Sequence, residues 1–397
     1  MTAETADSPR GAERGAQRTE MPAVGMVGGG QLARMTHQAA IALGVPLRVL
    51  SDSAHAAAAR VCSDVHIGEH TSLADLRGFA AGCAVVTFDH EHVPGPHIQA
   101  LESAGVACRP GSAALLHAQD KLVMRERLTE LGVPCPRYVP VREPADVAAF
   151  AAGSGWPVVL KAVRGGYDGK GVWLCASAEE AREVLAHAAA AGVSLLAEAH
   201  VEFRRELAAL VARSPHGQGA AYAIVETVQR DGICREVIAP APGLPEEVAA
   251  QTQRLALEIA DALGVVGLLA VELFETADGV LVNELAMRPH NSGHWTIDGA
   301  RTSQFEQHLR AVLDLPLGST APTARYAVMA NVLGGADPDL YSRYTHVMAR
   351  DPAIKVHMYG KDVRPGRKIG HVTAVGDDVD DLRERARHAA DHLRGPT

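Results

Sequence analysis

Short apolar runs alternate with helical patterns along the N-terminal quarter of the chain, which is typical of a parallel sheet covered by helices. Residues 23–27 predict a strand that leads through Gly28-Gly29-Gly30 into a helix ending near Leu43. Residues 47–50 and 84–88 predict two further buried strands. The pattern therefore predicts a doubly wound, Rossmann-like N-terminal domain.

The glycine turn has two interpretations. Gly28-Gly29-Gly30 with Ala33 reads as G-x-G-x-x-A, and Asp52 lies where the ribose-binding acid of a nicotinamide site would be expected. Such turns also occur in doubly wound domains without a cofactor, because glycines permit a tight strand-to-helix turn. We favour the cofactor-free interpretation and keep the nicotinamide site as the alternative.

The strand at 84–88 ends in Asp89-His90-Glu91-His92, a position where doubly wound sheets bind ligands. A zinc site through His90 and His92 would need further ligands that the sequence does not identify. The alternatives are a polar loop and a substrate contact through Glu91.

The middle of the chain begins with a helix predicted at 119–131, which carries Lys121 at its start and leads into a proline-rich connector. A domain boundary near residue 117 follows from this arrangement. The next apolar run, 158–163, contains a single charge, Lys161. Because a buried ammonium without a partner is costly, we expect Lys161 to have an anionic partner.

A glycine-rich segment, Arg164-Gly165-Gly166-Tyr167-Asp168-Gly169-Lys170-Gly171, connects that run to a strand predicted at 172–175. Its four glycines leave backbone amides free to surround phosphates, and Lys170 adds positive charge. It is not a Walker loop, because Gly171 replaces Ser/Thr and a strand follows instead of a helix. A plain hairpin tip is the alternative, although Lys161 favours a nucleotide flap. Further strands are predicted at 194–197, 206–212 and 220–227, and helices at 178–191 and 245–263.

A β-hairpin predicted over 271–285 brings two carboxylates together. If Ala277-Asp278-Gly279 forms a three-residue turn with its glycine in the left-handed conformation, Glu272 lies directly opposite Glu284 on one face. A two-residue Asp278-Gly279 turn would place them on opposite faces. Facing carboxylates repel unless a cation lies between them, and oxygen ligands favour magnesium. Exposed edge charges are the alternative.

The second strand of this hairpin continues into an abrupt change from apolar to polar residues. Asn283 precedes Glu284 in the apolar run, and the chain then breaks at Pro289 into a polar loop. The polar side chains of this segment are Arg288, His290, Asn291, Ser292 and His294. We expect a metal-bound anion against the strand end and a second substrate against the loop.

Composition narrows the function classes. The chain has 397 residues, and its net charge of −9 argues against a general nucleic-acid-binding protein. The six cysteines form no C-x-x-C pair, so neither a disulfide framework nor structural zinc is predicted. Residues 1–20 lack the apolar core of a signal peptide and are expected to be a disordered tail. No apolar run approaches the ~18–20 residues that span a bilayer, so we expect a cytoplasmic protein.

In their order along the chain, several of these features resemble the nucleotide site of ATP-grasp enzymes: Lys121, Lys161, the glycine-rich segment, Glu198, Glu272 and Asn283-Glu284. Within that superfamily, residues 24–372 resemble the 5-(carboxyamino)imidazole ribonucleotide synthase family. The matching motifs are Gly28-Gly29-Gly30-Gln31-Leu32, residues 165–171, residues 283–296, and Arg364-Pro365-Gly366-Arg367-Lys368-Ile369-Gly370-His371. The motifs at 290–296 and 364–368 are specific to that family, whereas the glycine-rich segment alone identifies the superfamily.

The resemblance implies a mixed α/β and α+β fold. It comprises the tail at 1–20, a Rossmann-like pre-ATP-grasp domain at 21–117, an ATP-grasp domain at 118–320 with a flap at 164–171, and a small β-rich C-terminal domain at 321–397. It also implies ATP and magnesium as cofactors, with manganese as an alternative metal and neither biotin nor NAD. A cytoplasmic homodimer without nucleic-acid or membrane partners is expected.

The same resemblance assigns residues to ligands. Glu272 and Glu284 are expected to bind the metal. The expected ATP-binding residues are Lys121, Lys161, Gly166, Tyr167, Asp168, Gly169, Lys170, Gly171, Glu198, Ala199, His200, Val201, Glu206, Gln229, Asn283 and Glu284. The expected substrate-binding residues are Gly30, Gln31, Leu32, Glu91, Tyr167, Arg288, His290, Asn291, Ser292, Lys361, Arg364, Arg367 and Lys368.

The implied reaction uses ATP and bicarbonate to carboxylate the exocyclic amine of 5-aminoimidazole ribonucleotide through carboxyphosphate, in de novo purine biosynthesis. Arg288 is expected to stabilise bicarbonate and carboxyphosphate, because its planar guanidinium matches their oxygens. Asp168 is expected to orient the amine or accept its proton, and Lys368 is the third catalytic candidate. The basic residues near the C terminus suit the 5-phosphate of the nucleotide.

Three positions depart from the family pattern. Gln229 replaces a frequent histidine, Asp89 a glutamate and Met287 a proline. The rival functions are another ATP-grasp ligase, such as a formate-dependent glycinamide ribonucleotide transformylase or a biotin carboxylase, a nicotinamide-dependent oxidoreductase, and a nucleotide-binding regulator without turnover.

Overall fold

The computed structural model describes residues 21–166 and 169–395. The predicted N-terminal tail lies outside the described residues, as do Tyr167 and Asp168 of the glycine-rich segment. In the described ranges, no helix is long and apolar enough to cross a membrane.

A parallel four-stranded sheet forms the N-terminal part, in the order β3-β2-β1-β4. Its strands are β1 (Val24–Val27), β2 (Leu47–Ser51), β3 (Asp64–Ile67) and β4 (Val85–Phe88). The accompanying helices are α1 (Gln31–Leu43), α2 (Leu73–Ala80), α3 (Gly95–Ser103) and α4 (Ser112–Gln119). Every residue of β1 and β4 is buried, which explains their continuous apolar runs. The predicted Rossmann-like arrangement is confirmed.

The glycines of the first turn are required by side chains of the same domain. A Cβ at Gly28, whose φ is +111°, would lie 1.7 Å from Oδ1 of Asp89, and one at Gly29 would lie 2.3 Å from Oγ of Ser51. The amide of Gly30 donates to Oδ2 of Asp89 at 2.7 Å. The start of α1 therefore already holds a carboxylate, which is favourable at a helix N-terminus.

A second, antiparallel sheet has the order β5-β8-β6-β7. Its strands are β5 (Tyr138–Val141), β6 (Val158–Ala162), β7 (Val172–Cys175) and β8 (Leu195–Ala199). It follows α5 (Lys121–Glu130) and packs against α6 (Pro144–Ser154) and α7 (Ala178–Ala190). The predicted helix at 119–131 begins later than expected, because Asp120 caps α5 by accepting the amides of Leu122 and Val123.

The third sheet has nine strands and runs β14-β13-β9-β11-β12-β15-β17-β16, with β10 on β9. The strands are β9 (Arg205–Arg213), β10 (Gly219–Ala221), β11 (Val225–Arg230), β12 (Ile233–Ala239), β13 (Gly267–Thr276), β14 (Gly279–Ala286), β15 (Tyr326–Leu333), β16 (Lys355–Met358) and β17 (Lys368–Gly376). The prediction of a single strand at 220–227 is wrong. This segment forms two strands, because residues 222–224 interrupt the ladder and shift its register against β9 by one residue.

The C-terminal strands extend this central sheet, since β15 pairs with β12. The remaining helices are α8 (Glu246–Ala262), α9 (Thr296–Gly299), α10 (Gln304–Val312), α11 (Tyr341–Arg350) and α12 (Val379–Arg394). The connection between β16 and β17, residues 359–367, reaches the N-terminal sheet, where Lys361 donates to Oε1 of Gln31 at 2.5 Å. Segments from both ends of the chain therefore meet beside the central sheet.

Candidate functional site

Glu272 on β13 lies directly opposite Glu284 on β14. The predicted pairing of these carboxylates is confirmed, but the predicted turn is wrong. Thr276 pairs with Gly279, so the turn has two residues, Ala277 and Asp278. Gly279 has a φ of +130° and begins β14. A regular hairpin on this turn would place the two carboxylates on opposite faces.

Asn283 restores the facing arrangement. Leu273 pairs with Val282 and Glu272 with Glu284, so Asn283 is the extra residue of a β-bulge. One added residue reverses the alternation of β14, and Glu284 returns to the face that carries Glu272. The bulge, rather than the turn, therefore brings the two carboxylates together.

Arg125, which the sequence analysis missed, holds this bulge in place. Its side chain is fully buried on α5, and its guanidinium donates to the carbonyl oxygens of Val282 at 3.1 Å and Asn283 at 2.7 Å. Its Nε donates to Glu198 at 2.7 Å. The one sequence signal was its position four residues after Lys121, on the same side of the helix. An arginine in a charged helix is, however, usually solvated.

Lys161 has the anionic partner that its burial requires. Its Nζ lies 2.7 Å from the Glu198 carboxylate and donates to Oδ1 of Asn283 at 2.9 Å. Burial lowers the pKa of Lys161, and Glu198 opposes that shift. Burial alone would raise the pKa of Glu198, but Lys161 and Arg125 hold it below its usual value. The Glu198 carboxylate is therefore paired with two buried cations of the protein itself.

Three carboxylates share the face of the central sheet beside Lys121. Lys121 forms an ion pair with Glu284, and Glu206 pairs with Phe274, two residues from Glu272. Burial raises the pKa of Glu206 to about 7. Burial, with the charges of Glu284 and Glu206, also raises the pKa of Glu272. This excess of negative oxygen ligands suits a hard divalent cation.

No histidine or cysteine in the described part of the chain completes a metal site with these oxygen ligands. In residues 21–166 and 169–395, no group of three or more His, Cys, Asp or Glu side chains has the geometry of a metal site. His90 and His92, the alternative zinc ligands, stack with ring centroids 5.3 Å apart, and His92 donates its amide to Nδ1 of His90. A cation at Glu272 and Glu284 would need oxygens from a ligand or water to complete its coordination.

Arg288 and Glu91, predicted from distant parts of the chain, form an ion pair. Nε of Arg288 lies 2.8 Å from Oε2 of Glu91, and the guanidinium also donates to the carbonyl oxygen of Pro289 at 3.2 Å. Oε1 of Glu91 is buried and has no hydrogen-bond partner among the described residues. Burial raises the pKa of nearby Asp89 to about 6, although the amide of Gly30 and the charge of Arg288 oppose that shift. A ligand donor would satisfy the buried oxygen of Glu91.

His290 links the polar loop to the carboxylates. Its Nε2 lies 3.4 Å from Oε1 of Glu272, and its Nδ1 lies 2.9 Å from Oγ of Ser292. Burial lowers the pKa of His290 to about 3, so its imidazole is neutral. The side chain of Asn291 exchanges hydrogen bonds of 2.9 and 2.8 Å with Asn331 on β15. Asn291 therefore anchors the loop, whereas His290 faces the carboxylates.

The predicted basic hairpin exists as β16, residues 359–367 and β17. Lys361 lies over α1 through its bond to Gln31. Arg364 is exposed at the tip, 3.6 Å from Asp362, and Arg367 donates to the Asp362 carbonyl oxygen at 3.3 Å. Lys368 begins β17, and its charge lowers the pKa values of Glu272 and His290. The hairpin therefore extends from the carboxylates to the N-terminal domain.

The described ends of the glycine-rich segment contact α5 on one side and the β11-β12 turn on the other. Nε of Arg164 is 2.9 Å from Oδ2 of Asp120 at the start of α5. A Cβ at Gly169, whose φ is +75°, would lie 3.1 Å from Cα of Gly232. Gln229 lies on β11 near that turn, opposite Cys234. The predicted roles of Tyr167 and Asp168 lie outside the described residues.

Three family models match successive parts of the chain. The ribonucleotide synthetase preATP-grasp domain matches residues 21–119, the ATP-grasp domain matches residues 126–305, and the phosphoribosylaminoimidazole carboxylase C-terminal domain matches residues 327–385. Their order agrees with the predicted fold class.

Full-length relatives and solved structures are similar to the chain over nearly all of its length. The N5-carboxyaminoimidazole ribonucleotide synthase of Mycobacterium tuberculosis (strain H37Rv) is 60% identical over 376 residues, covering 94% of this chain and 88% of the relative. The crystal structure of the Thermus thermophilus synthetase is 40% identical, with a TM-score of 0.85, covering 94% and 99%. An Aspergillus clavatus N5-carboxyaminoimidazole synthase, crystallised with ADP and 5-aminoimidazole ribonucleotide, is 31% identical, with a TM-score of 0.85, covering 94% and 98%.

Proposed function

Because the chain belongs to the N5-carboxyaminoimidazole ribonucleotide synthase family, we propose that the site described above carboxylates 5-aminoimidazole ribonucleotide with ATP and bicarbonate. The reaction is an ATP-dependent ligation of purine biosynthesis that releases ADP. The observation that carries the proposal is the facing pair Glu272 and Glu284, flanked by Lys121 and the Arg288–Glu91 ion pair. Such a site can neutralise phosphate oxygens and hold a second anion beside them.

Magnesium is the cation that this site is proposed to take. Glu272 and Glu284 would hold it, and this role is supported by the burial and the neighbouring carboxylates that together raise the pKa of Glu272. When bound, the ion would neutralise charge on the phosphates of ATP. Lys121 and Lys161 would contact the same phosphates, and Asn283 positions Lys161. Manganese has similar ligand preferences and is the alternative.

The remaining ATP contacts are proposed around this centre. The glycine-rich segment would cover the phosphates with its backbone amides, residues 198–201 would contact the base, and Glu206 the ribose hydroxyls. Gln229 lies next to the turn that the segment touches, which favours a contact at the edge of the nucleotide. The flap residues concerned are Gly166, Tyr167, Asp168, Gly169, Lys170 and Gly171.

Arg288 is proposed to stabilise bicarbonate and the carboxyphosphate formed from it. Its guanidinium is oriented by Glu91, whose second oxygen would accept from the ribonucleotide. His290 is neutral beside Glu272 and would donate or accept without adding charge. Carboxyphosphate would break down to carbon dioxide and inorganic phosphate next to the amine, in a site closed to water by the flap. Asp168 would orient the amine or accept its proton.

The basic hairpin is proposed to bind the 5-phosphate through Lys361, Arg364, Arg367 and Lys368, with residues 30–32 on the other side. Supporting this, Lys361 already bonds to Gln31 across the two segments. We also propose that the protein is a cytoplasmic homodimer. Its domains are proposed to lie at 21–117, 118–320 and 321–397. The continuity of the central sheet through β12 and β15 means that the last boundary would cross a sheet.

The deciding experiment measures ADP formation with ATP, magnesium and bicarbonate, with and without 5-aminoimidazole ribonucleotide. We expect that nucleotide to stimulate ADP release and to acquire one carboxylate from labelled bicarbonate. Absence of stimulation would overturn the substrate assignment. Stimulation by formate and glycinamide ribonucleotide, or by biotin, would instead identify another ATP-grasp ligase.

A further inference from the structure

We infer that Tyr359 is a positioning residue for the ribonucleotide, because it couples the polar loop at 290–296 to the basic hairpin. This inference rests on the proposed function, in which the hairpin binds the 5-phosphate. Tyr359 immediately precedes the hairpin tip, and its amide donates to the carbonyl oxygen of Ile369 at 2.9 Å. Its side chain is buried, with 1% of its surface exposed.

Tyr359 lies where three distant segments meet. Its ring packs with Leu32 and Met35 of α1 and with Phe305 of α10. Its centroid is 6.2 Å from that of His294 in the polar loop, in an edge-on arrangement. On the hairpin side, Nζ of Lys361 lies 5.7 Å from the centre of the ring. A displacement of this ring would therefore move a proposed phosphate contact relative to α1 and the polar loop.

Two separate groups of hydrogen bonds involve the polar loop and the Tyr359 hydroxyl. Oε1 of Gln304 accepts the amide of His290 at 2.8 Å, so the other side-chain atom of Gln304, Nε2, is a donor. Nε2 of Gln304 donates to Nδ1 of His294 at 2.9 Å, which leaves the His294 proton on Nε2. At the far end, the Tyr359 hydroxyl lies 2.8 Å from Nδ1 of His371.

The series of hydrogen bonds is interrupted between two neighbouring imidazoles, those of His294 and His371. Nε2 of His294 and Nε2 of His371 are both buried and have no hydrogen-bond partner among the described residues. Their rings are 5.1 Å apart. A water molecule between the two atoms would accept from Nε2 of His294 and donate to Nε2 of His371, so that Nδ1 of His371 donates to the Tyr359 hydroxyl oxygen. Both orphan nitrogens are then satisfied, and the polar loop is bonded continuously to the hairpin.

Two further residues, His357 and Arg60, contact the segments joined at Tyr359. His357 stacks on the outer face of His371 with centroids 4.6 Å apart, and its Nε2 lies 2.7 Å from Oδ2 of Asp298. Arg60 of the N-terminal domain donates to the carbonyl oxygen of Gly360 at 3.0 Å. The hairpin is thus held from its core side by Tyr359 and from its surface side by Arg60.

The test compares Tyr359→Phe with Tyr222→Phe. Tyr222 is also 1% exposed, and its hydroxyl also makes one buried hydrogen bond, to the carbonyl oxygen of Thr302 at 2.9 Å. Both variants lose one buried hydroxyl bond, so their melting temperatures should fall similarly. Only Tyr359→Phe is expected to raise the KM for 5-aminoimidazole ribonucleotide, by about fivefold, with the KM for ATP unchanged. Tyr359→Leu, which also loses the ring, should raise it at least about tenfold.

Equal effects of Tyr359→Phe and Tyr222→Phe on the ribonucleotide KM would overturn the inference, as would a parallel rise in the KM for ATP. If Tyr359→Phe does not fold, the same measurement is made on Arg60→Gln, because Arg60 is exposed and donates to Gly360 of the same hairpin. The ribonucleotide KM of this variant is expected to rise. An unchanged ribonucleotide KM in Arg60→Gln would then refute the coupling. Failure of the proposed function is distinguishable, since the wild-type protein would then show no ADP formation stimulated by the ribonucleotide.

Discussion

Glu272 and Glu284 face each other across β13 and β14 although the turn between those strands has only two residues. The bulge at Asn283 makes this possible, and Arg125 holds the bulge through two carbonyl oxygens. The proposed cation site therefore depends on a buried helix residue that is hydrogen-bonded to neither carboxylate. This relationship leads to separate predictions for the carboxylates and for the arginine.

Replacing one carboxylate should abolish catalysis without unfolding the protein. Glu284→Gln keeps the shape of the side chain but removes half of the negative charge of the pair. We expect ribonucleotide-dependent ADP formation to fall by about a hundredfold or more. Glu258→Gln, on the exposed face of α8, is the matched control and should keep wild-type activity. Activity of Glu284→Gln near that of the control would exclude a role in metal binding.

Arg125→Met should lower the free energy of unfolding far more than Arg127→Met, a substitution on the surface of the same helix. It leaves the buried Glu198 without one of its two cations and two carbonyl oxygens without donors. Removing one partner of a buried ion pair typically costs about 3–5 kcal/mol. Arg127→Met, on the same helix, breaks a pair with Glu130 in which the arginine is 39% exposed, and should cost under about 1 kcal/mol. Urea unfolding of both variants measures the difference, and similar values would contradict the prediction.

The stability of the ligand-free protein should depend on Glu206 between about pH 4.5 and 7. Burial raises the pKa of Glu206 from 4.5 to about 7, so the folded state binds its proton more tightly than the unfolded state. This contribution is complete below pH 4.5 and is lost as the pH rises through 7. Relative to the wild type, Glu206→Gln should therefore gain stability from pH 5 to pH 8, by on the order of 1 kcal/mol given its partial contact with water. Thermal unfolding at both pH values tests this, and no relative change would show that Glu206 titrates normally.

Arg288→Gln should separate ATP binding from carboxylation. The side chain pairs with Glu91, whereas the lysines proposed to bind phosphates pair with Glu284 and Glu198. Loss of a donor to a developing oxyanion typically costs about 10²–10³ in rate. We expect this loss in ribonucleotide-dependent turnover, while the Kd for ATP stays within about twofold of the wild type. Arg301→Gln, at an exposed position, is the control. An equal loss of ATP affinity would assign Arg288 to the nucleotide instead.

Lys361→Gln should weaken binding of the ribonucleotide and reduce its salt dependence. The ammonium lies between α1 and the Tyr359 ring, at the proposed position of the 5-phosphate. We expect the ribonucleotide KM to rise about tenfold and to respond less to added KCl, because one charge contact is lost. Lys355→Gln, an exposed lysine on β16 of the same hairpin, should leave both measurements unchanged. Identical behaviour of the two variants would place the phosphate elsewhere.

Much of the site could be predicted because local patterns carry it. Lys161 in an apolar strand required an anionic partner, and the structure provides Glu198. The prediction that Glu272 faces Glu284 is correct, although the turn from which it was derived is wrong. An extra residue in the turn and an extra residue in a bulge at Asn283 both shift the inward–outward alternation of β14 by one residue, so both give the same facing pair. The local pattern does not distinguish these two positions for the extra residue, and the choice is made by Arg125 from another helix.

By itself, the sequence determined the chemistry of this protein: the two lysines, the glycine-rich segment, the two glutamates and the family motifs at 290–296 and 364–368. Side-chain identity and short spacing are sufficient for that, because strands and helices fix which neighbours share a face. Only the tertiary structure decided how these groups meet. Arg125 reaches Asn283 across 158 positions, and Lys361 reaches Gln31 across 330. Such contacts depend on the packing of whole segments against one another, which a local pattern of residues does not specify.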